Sequence, residues 1–251
     1  MRQAERMPIA FVLVHSPLVG PSTWEALAAG LRAGGHRVSV PDLRTSLTDG
    51  PPFWPRQVAA IVDNADDDRV ILVGHGGAGP LLPATGKALK WVAGYVFIDA
   101  GLPFPGRSWL KQAPPELAEQ LQAMVRGSWL PPWSEWWGAA GLAELLPDAD
   151  VRERFSAGYP RLPIAMFEEA QPLVSGWPDA PCAYLRLSEA YQEQAERCKA
   201  LGWLTPDLSS HHLAVLTDPE PVLEALLALE RRIQQGPSRH NRCGSLAGRC
   251  R

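Results

Sequence analysis

The chain has 251 residues, is 46% hydrophobic and 20% charged, and carries a formal net charge of -3 at pH 7. That balance suits one globular domain with a sizeable core, and with no basic stripe it argues against nucleic acid as a partner. No run approaches the roughly 18 consecutive apolar residues of a membrane span, and residues 1–6 lack a signal-peptide cleavage pattern, so the expectation is a cytoplasmic protein that does not engage membranes. The four cysteines, Cys182, Cys198, Cys243 and Cys250, show no metal-ligand spacing and read as reduced thiols. Neither a metal nor a cofactor is expected, and the oligomeric state is left open.

Ile9–His15 is a continuous apolar run ending in polar residues, the pattern of a parallel strand buried on both faces. Ser22–Arg32 predicts a helix, with Ser22 as N-cap and Glu25 three residues on. Arg37–Val40 is a second strand, leading into Pro41-Asp42-Leu43, where Asp42 is expected to cap a turn. A helix over Pro55–Asn64 precedes a third strand, Val70–Val73. Gly94–Ile98 and Ala183–Leu187 are the fourth and fifth strands, Trp203–Thr205 a short sixth, and Glu220–Arg232 a closing helix. Strands alternating with helices predict a mostly parallel, doubly wound α/β sheet of about six strands.

Residues 102–181 interrupt this rhythm. They hold helix-like pieces at Pro115–Arg126, Gly138–Leu146, Val151–Ala157 and Pro163–Glu169, and six of the ten tryptophans: Trp109, Trp129, Trp133, Trp136, Trp137 and Trp177. The stretch reads as a helical cap inserted in a single domain of residues 8–235. The polar, basic residues 236–251 read as a disordered tail. Trp133, Trp136 and Trp137, at i, i+3 and i+4, are expected on one helical face. They are either cap core or a flat wall for an apolar or aromatic ligand.

The third strand runs into Gly74-His75-Gly76-Gly77-Ala78 and then a helix-compatible segment, Pro80–Leu89. That context resembles the strand–turn–helix elbow of G-x-S-x-G enzymes, with Gly76 at the serine position. Around it lie His15 and Trp24, Pro41-Asp42-Leu43, Asp99 and Glu189 after later strands, and His211-His212-Leu-Ala-Val-Leu-Thr-Asp-Pro219 before the last helix. Together these motifs resemble the α/β-hydrolase superfamily over residues 8–235.

The resemblance implies a general base at His212 and an orienting carboxylate at Glu189, the favoured choice, or Asp99. It implies that Gly76 leaves the nucleophile position vacant. The oxyanion hole would draw one N–H from Gly77 and one from the loop after the first strand, where His15-Ser16-Pro17 offers a proline with no N–H. Ser16 sits near the site as an alternative, displaced nucleophile, but the motif places no base for it. His15 and His75 are expected to hold loop backbone.

Three functions remain open. The first is an enzyme using His212 in non-covalent acid–base chemistry as a lyase, cyclase, isomerase or water-activating hydrolase, since histidine as a residue type titrates near neutrality. The second is a pocket that binds a small ligand without turnover. The third is a serine esterase disabled by a Ser-to-Gly change at 76. Arginine outnumbers lysine 20 to 4, a coding bias of GC-rich genomes, and with the aromatic cap it directs the expected small-molecule partner toward bacterial secondary metabolism.

Overall fold

The computed structural model describes residues 9–65, 69–136 and 138–235; the expectations for Trp137 and for the 236–251 tail lie outside them. In chain order the strands are β1 (Ile9–Val14), β2 (Val38–Ser39), β3 (Arg69–Gly76), β4 (Val92–Ala100), β5 (Trp129–Leu130), β6 (Leu162–Pro163) and β7 (Cys182–Leu185). The helices are α1 (Glu25–Ala33), α2 (Trp54–Val62), α3 (Leu82–Ala88), α4 (Trp109–Gln112), α5 (Pro115–Met124), α6 (Gly138–Leu145), α7 (Ala149–Ala157), α8 (Ile164–Glu168), α9 (Gln192–Ala200), α10 (Ala214–Thr217) and α11 (Pro219–Gln235).

Five strands form a parallel sheet in the order β2-β1-β3-β4-β7. All six residues of β1 are buried, and their side chains alternate between two cores. Phe11 and Leu13 face α1 and α11, packing with Leu27, Leu31, Leu226 and Ile233. Ala10, Val12 and Val14 face Ile61 of α2, Leu82 of α3 and Cys198 of α9. Helices on both faces make the sheet doubly wound. The chain steps outward from β1 to β2, then reverses across β1 to β3, so the loops after β1 and β3 part at their carboxyl ends. Open α/β sheets place their sites at such a switch point.

Between β4 and β7 the chain builds the α4–α8 segment, with β5 and β6 paired antiparallel. This segment makes small cores with loops of the sheet layer: Leu121, Leu130, Trp136, Leu162 and Phe167 with Leu47, and Leu142, Leu146, Phe155 and Tyr159 with Val19 and Leu213. The Glu169 carboxylate accepts from Phe53 N (2.9 and 3.0 Å) and Trp54 N (3.1 Å), tying the segment to the start of α2.

Three expectations are corrected. The sixth strand reduces to isolated bridges, Ala183 to Leu204 and Arg186 to Asp207, because Pro206 between them has no N–H for a continuous ladder. Ser22 does not cap α1. Pro21–Trp24 forms a 3-10 turn first, and α1 starts at Glu25 without a side-chain cap. The second strand shrinks to Val38–Ser39.

Candidate active site

Gly76 ends β3 with φ +57, in the left-handed region where a side chain is costly and glycine is not. A Cβ built there would lie 3.3 Å from His212 Nε2 and 3.6 Å from Ser16 Cβ. The gap at Gly76 therefore opens directly onto the histidine ring.

His212 precedes α10, and its Nδ1 donates to Asp99 Oδ2 at 3.0 Å. The carboxylate is Asp99, not Glu189, and the backbone explains why. In the β3–β4 ladder, His75 pairs with Ile98 and Gly76 with Ala100, so Asp99 is the extra residue of a bulge, with φ +42. Bulges re-aim a side chain at a strand end. Here the bulge sends the carboxylate of a fully buried residue toward His212. Glu189 is exposed and opens the 3-10 turn Glu189–Tyr191. The loop after β7 contributes donors in place of a carboxylate: Leu187 N and Ser188 N donate to Asp99 Oδ1 (2.8 and 3.0 Å), and Ser188 Oγ donates to Oδ2 (2.5 Å). Burial pushes the Asp99 carboxyl upward, but hydrogen bonds from His212, Ser188 and Leu187, with the charge of His212, outweigh it and hold it below its ordinary value.

Flat rings brace the His212 imidazole. His75 stacks on it at 4.3 Å between centroids and Tyr191 at 5.2 Å. His75 Nε2 donates to the His212 carbonyl at 2.9 Å, and burial lowers its pKa to about 3, so it stays neutral and positions the loop. His15 Nε2 accepts from Leu43 N at 3.1 Å, while its Nδ1 donates to Ser16 O at 2.8 Å. Burial lowers its pKa to about 4. Asp42 accepts from Arg44 N at 3.0 Å, closing its turn, and pairs with the Arg44 guanidinium.

A cavity of about 1110 Å³ lies beyond the sheet, bounded by Ser16, His75, Gly76, Gly77 and His212 on one side and by Trp109, Trp133 and Trp136 on the other. Trp133 begins a 3-10 turn of three residues rather than a helix face, and Trp136 is its C-cap. Trp177 packs instead against Tyr95, Phe97 and Trp203. Pro17 lines a smaller recess of about 90 Å³ that shares Leu18, Gly77, Pro80 and Trp109 with the large cavity. Sequence reasoning missed Tyr191, Leu187 and Ser188. Their only signal was proximity to the end of the fifth strand. Among the described residues no group of three or more His, Cys, Asp or Glu is placed to hold a metal ion, and no helix is long and apolar enough to cross a membrane.

No curated protein matches the chain. Solved structures do. An extracellular alpha/beta-hydrolase from a Paenibacillus species is 19% identical, with a TM-score of 0.70 over 88% of this chain and 98% of that one. A pyrethroid hydrolase from Sphingobium faniae JZ-2 is 20% identical (TM-score 0.64; 90% and 99% covered). A variant of tomato methylketone synthase I complexed with beta-ketoheptanoate is 16% identical (TM-score 0.66; 91% and 100% covered). At these identities the likeness is one of fold. The model of the alpha/beta hydrolase family matches residues 11–225, most of the length of the sheet and the segment above it, and the chain belongs to that family.

Proposed function

We propose that this protein is an enzyme acting by non-covalent general acid–base catalysis on a small apolar or aromatic substrate. His212 is the base, Asp99 fixes its tautomer, and Gly76 stands where family members of the G-x-S-x-G type carry their nucleophile. The observation that carries this reading is the Asp99–His212 pair, whose free Nε2 faces the side-chain gap at Gly76. Glycine offers nothing to acylate, whereas an oriented imidazole at a cavity wall can take a proton from a bound C–H or O–H. Trp109, Trp133 and Trp136 supply apolar surface for the substrate body. The neighbours' names, a pyrethroid hydrolase and a methylketone synthase among them, fit a fold that hosts different chemistries.

A carbon acid tests it. 2-Tetralone in deuterated buffer should exchange its α-protons faster with the protein present, followed by NMR. His212→Ala should remove roughly 10²–10⁴-fold of that rate, the usual contribution of a positioned base. Exchange that is absent, or indifferent to His212, overturns the reading; tryptophan-detected binding of 2-tetralone without exchange would then indicate a pocket that only binds.

A further inference from the structure

The large cavity has two unlike walls. The α4–α6 segment supplies Trp109, Leu117, Trp133, Trp136 and Leu145, all apolar. The other wall comes from α9 and the turn before it: Ala190, Tyr191, Glu193, Gln194 and Arg197. Those positions are spaced i, i+1, i+3, i+4 and i+7, one continuous helical face. At about 1110 Å³ the cavity sits at the top of the roughly 300–1,000 Å³ range of small-molecule sites. It admits a body longer than two fused rings.

The polar face also measures distance from the reaction centre. Its near end carries Tyr191, whose ring stacks on His212 at 5.2 Å between centroids. Arg197 follows six residues later in the chain, about 9 Å along the axis at 1.5 Å per residue. Among the described residues Arg197 is the one Lys or Arg that lines the cavity, and its side chain makes no hydrogen bond or ion pair with any of them. Its default partner would be Glu193, since a glutamate four residues before a basic residue is the favourable helical arrangement, yet the two do not pair. Glu144 of α6 is the second carboxylate on the lining, and all three charged groups are exposed. Solvent therefore screens attraction and repulsion alike. What sets Arg197 apart is its planar fork of donors, which clasps a carboxylate through two hydrogen bonds.

We infer that the substrate is an aromatic carboxylate. Its ring body lies against the tryptophans, its reacting position is at His212, and its carboxylate rests on Arg197, on the order of 10 Å away. Arg197 is thus a binding residue that selects the substrate and sets which end of it enters first. This rests on the proposed reading of the cavity as a substrate site, and its test is binding rather than turnover.

The probes are 1-pyrenebutyrate and its uncharged counterpart 1-pyrenebutanol, followed by energy transfer from tryptophan to pyrene. At low salt the unsubstituted protein should bind the carboxylate more tightly than the alcohol, and the preference should shrink in about 0.5 M NaCl. Arg197→Gln should weaken 1-pyrenebutyrate roughly 3- to 10-fold, the scale of a charge-assisted pair discounted for exposure, and leave 1-pyrenebutanol within about twofold. Glu193→Gln removes a like charge beside the bound carboxylate and should tighten 1-pyrenebutyrate about twofold. The inference is overturned if neither probe binds, or if the unsubstituted protein does not prefer the carboxylate. It is also overturned if Arg197→Gln changes both probes equally or changes neither, the behaviour of a guanidinium that only solvates the rim. If tetralone exchange depends on His212 while 1-pyrenebutyrate ignores Arg197, this inference fails alone. If exchange is missing while 1-pyrenebutyrate follows Arg197, the proposed reaction fails and the anion site stands.

Discussion

A serine placed at 76 must adopt a left-handed backbone and seat its Cβ 3.3 Å from His212 Nε2. The backbone term costs about 1–2 kcal/mol, which in a chain of this size lowers Tm by roughly 2–8 °C. The new side chain also fills the space through which His212 reaches a substrate. Gly76→Ser should therefore melt earlier and exchange 2-tetralone more slowly; a variant that exchanges faster would show that the gap is not the working volume. Asp99→Asn should be more damaging. The present carboxylate accepts from two backbone N–H groups, a hydroxyl and an imidazole, and an amide group must turn a donor toward one of them. We expect at least about 100-fold loss of exchange and a loss of stability on the order of 2–4 kcal/mol from the buried unsatisfied groups, read from urea unfolding. Glu189→Gln, at an exposed position, should leave both near their starting values.

At the scale of elements, the site depends on how the turn after β3 rests on the end of β4. Gly101 N donates to Gly76 O at 2.9 Å, and a Cβ at Gly79 would fall 2.0 Å from the Gly101 carbonyl oxygen, a backbone atom. Gly79→Ala must therefore push the turn off the strand, and should cost about 3 kcal/mol or more by overpacking, whereas Gly101→Ala, with nothing nearer than 3.8 Å, should cost under about 1 kcal/mol. Thermal melting of the two variants gives the comparison. The same register explains what the sequence could and could not say. Apolar runs such as Ile9–Val14 and the small residues around Gly76 announce strand and turn by local chemistry alone. The choice between Asp99 and Glu189 depends on a bulge, a mismatch between two strands that neither strand encodes by itself. Tyr191 and Ser188 act through the loop after β7, whose path is set by packing across the sheet. The sixth strand expected at Trp203–Thr205 stops at Pro206, whose missing N–H leaves only isolated bridges there.

Across the whole molecule, two imidazoles are built into the layer beneath the cavity as neutral groups, and this sets its response to acid. His15 has its Nδ1 as donor and its Nε2 as acceptor, an arrangement only the neutral ring satisfies. Burial lowers its pKa from 6.5 to about 4, against the opposing pull of Ser16 O and the Asp42 carboxylate, with Arg44 adding to the lowering. His75 is lowered to about 3, by burial first and then by the charge of His212. Unfolding restores ordinary imidazoles, so between pH 6.5 and about 4 the unfolded chain binds protons that the folded chain refuses. Stability is then full above pH 6.5 and falls as pH drops through that window. For His15 alone the loss by pH 4 is on the order of 3 kcal/mol, a large fraction of the 5–15 kcal/mol typical of a domain. Asp99, whose folded pKa is depressed, adds acid sensitivity in the carboxylate range below. Urea unfolding at stepped pH, followed by tryptophan fluorescence, should give a stability that declines from pH 6.5 downward. In His15→Asn the decline should be shallower by about one proton, although that variant starts less stable because the ring also ties Leu43 N to Ser16 O. An unchanged slope in His15→Asn, or stability that rises on acidification to pH 5, would mean that these rings are not held neutral and that the loops carrying Ser16 and His212 are supported in some other way.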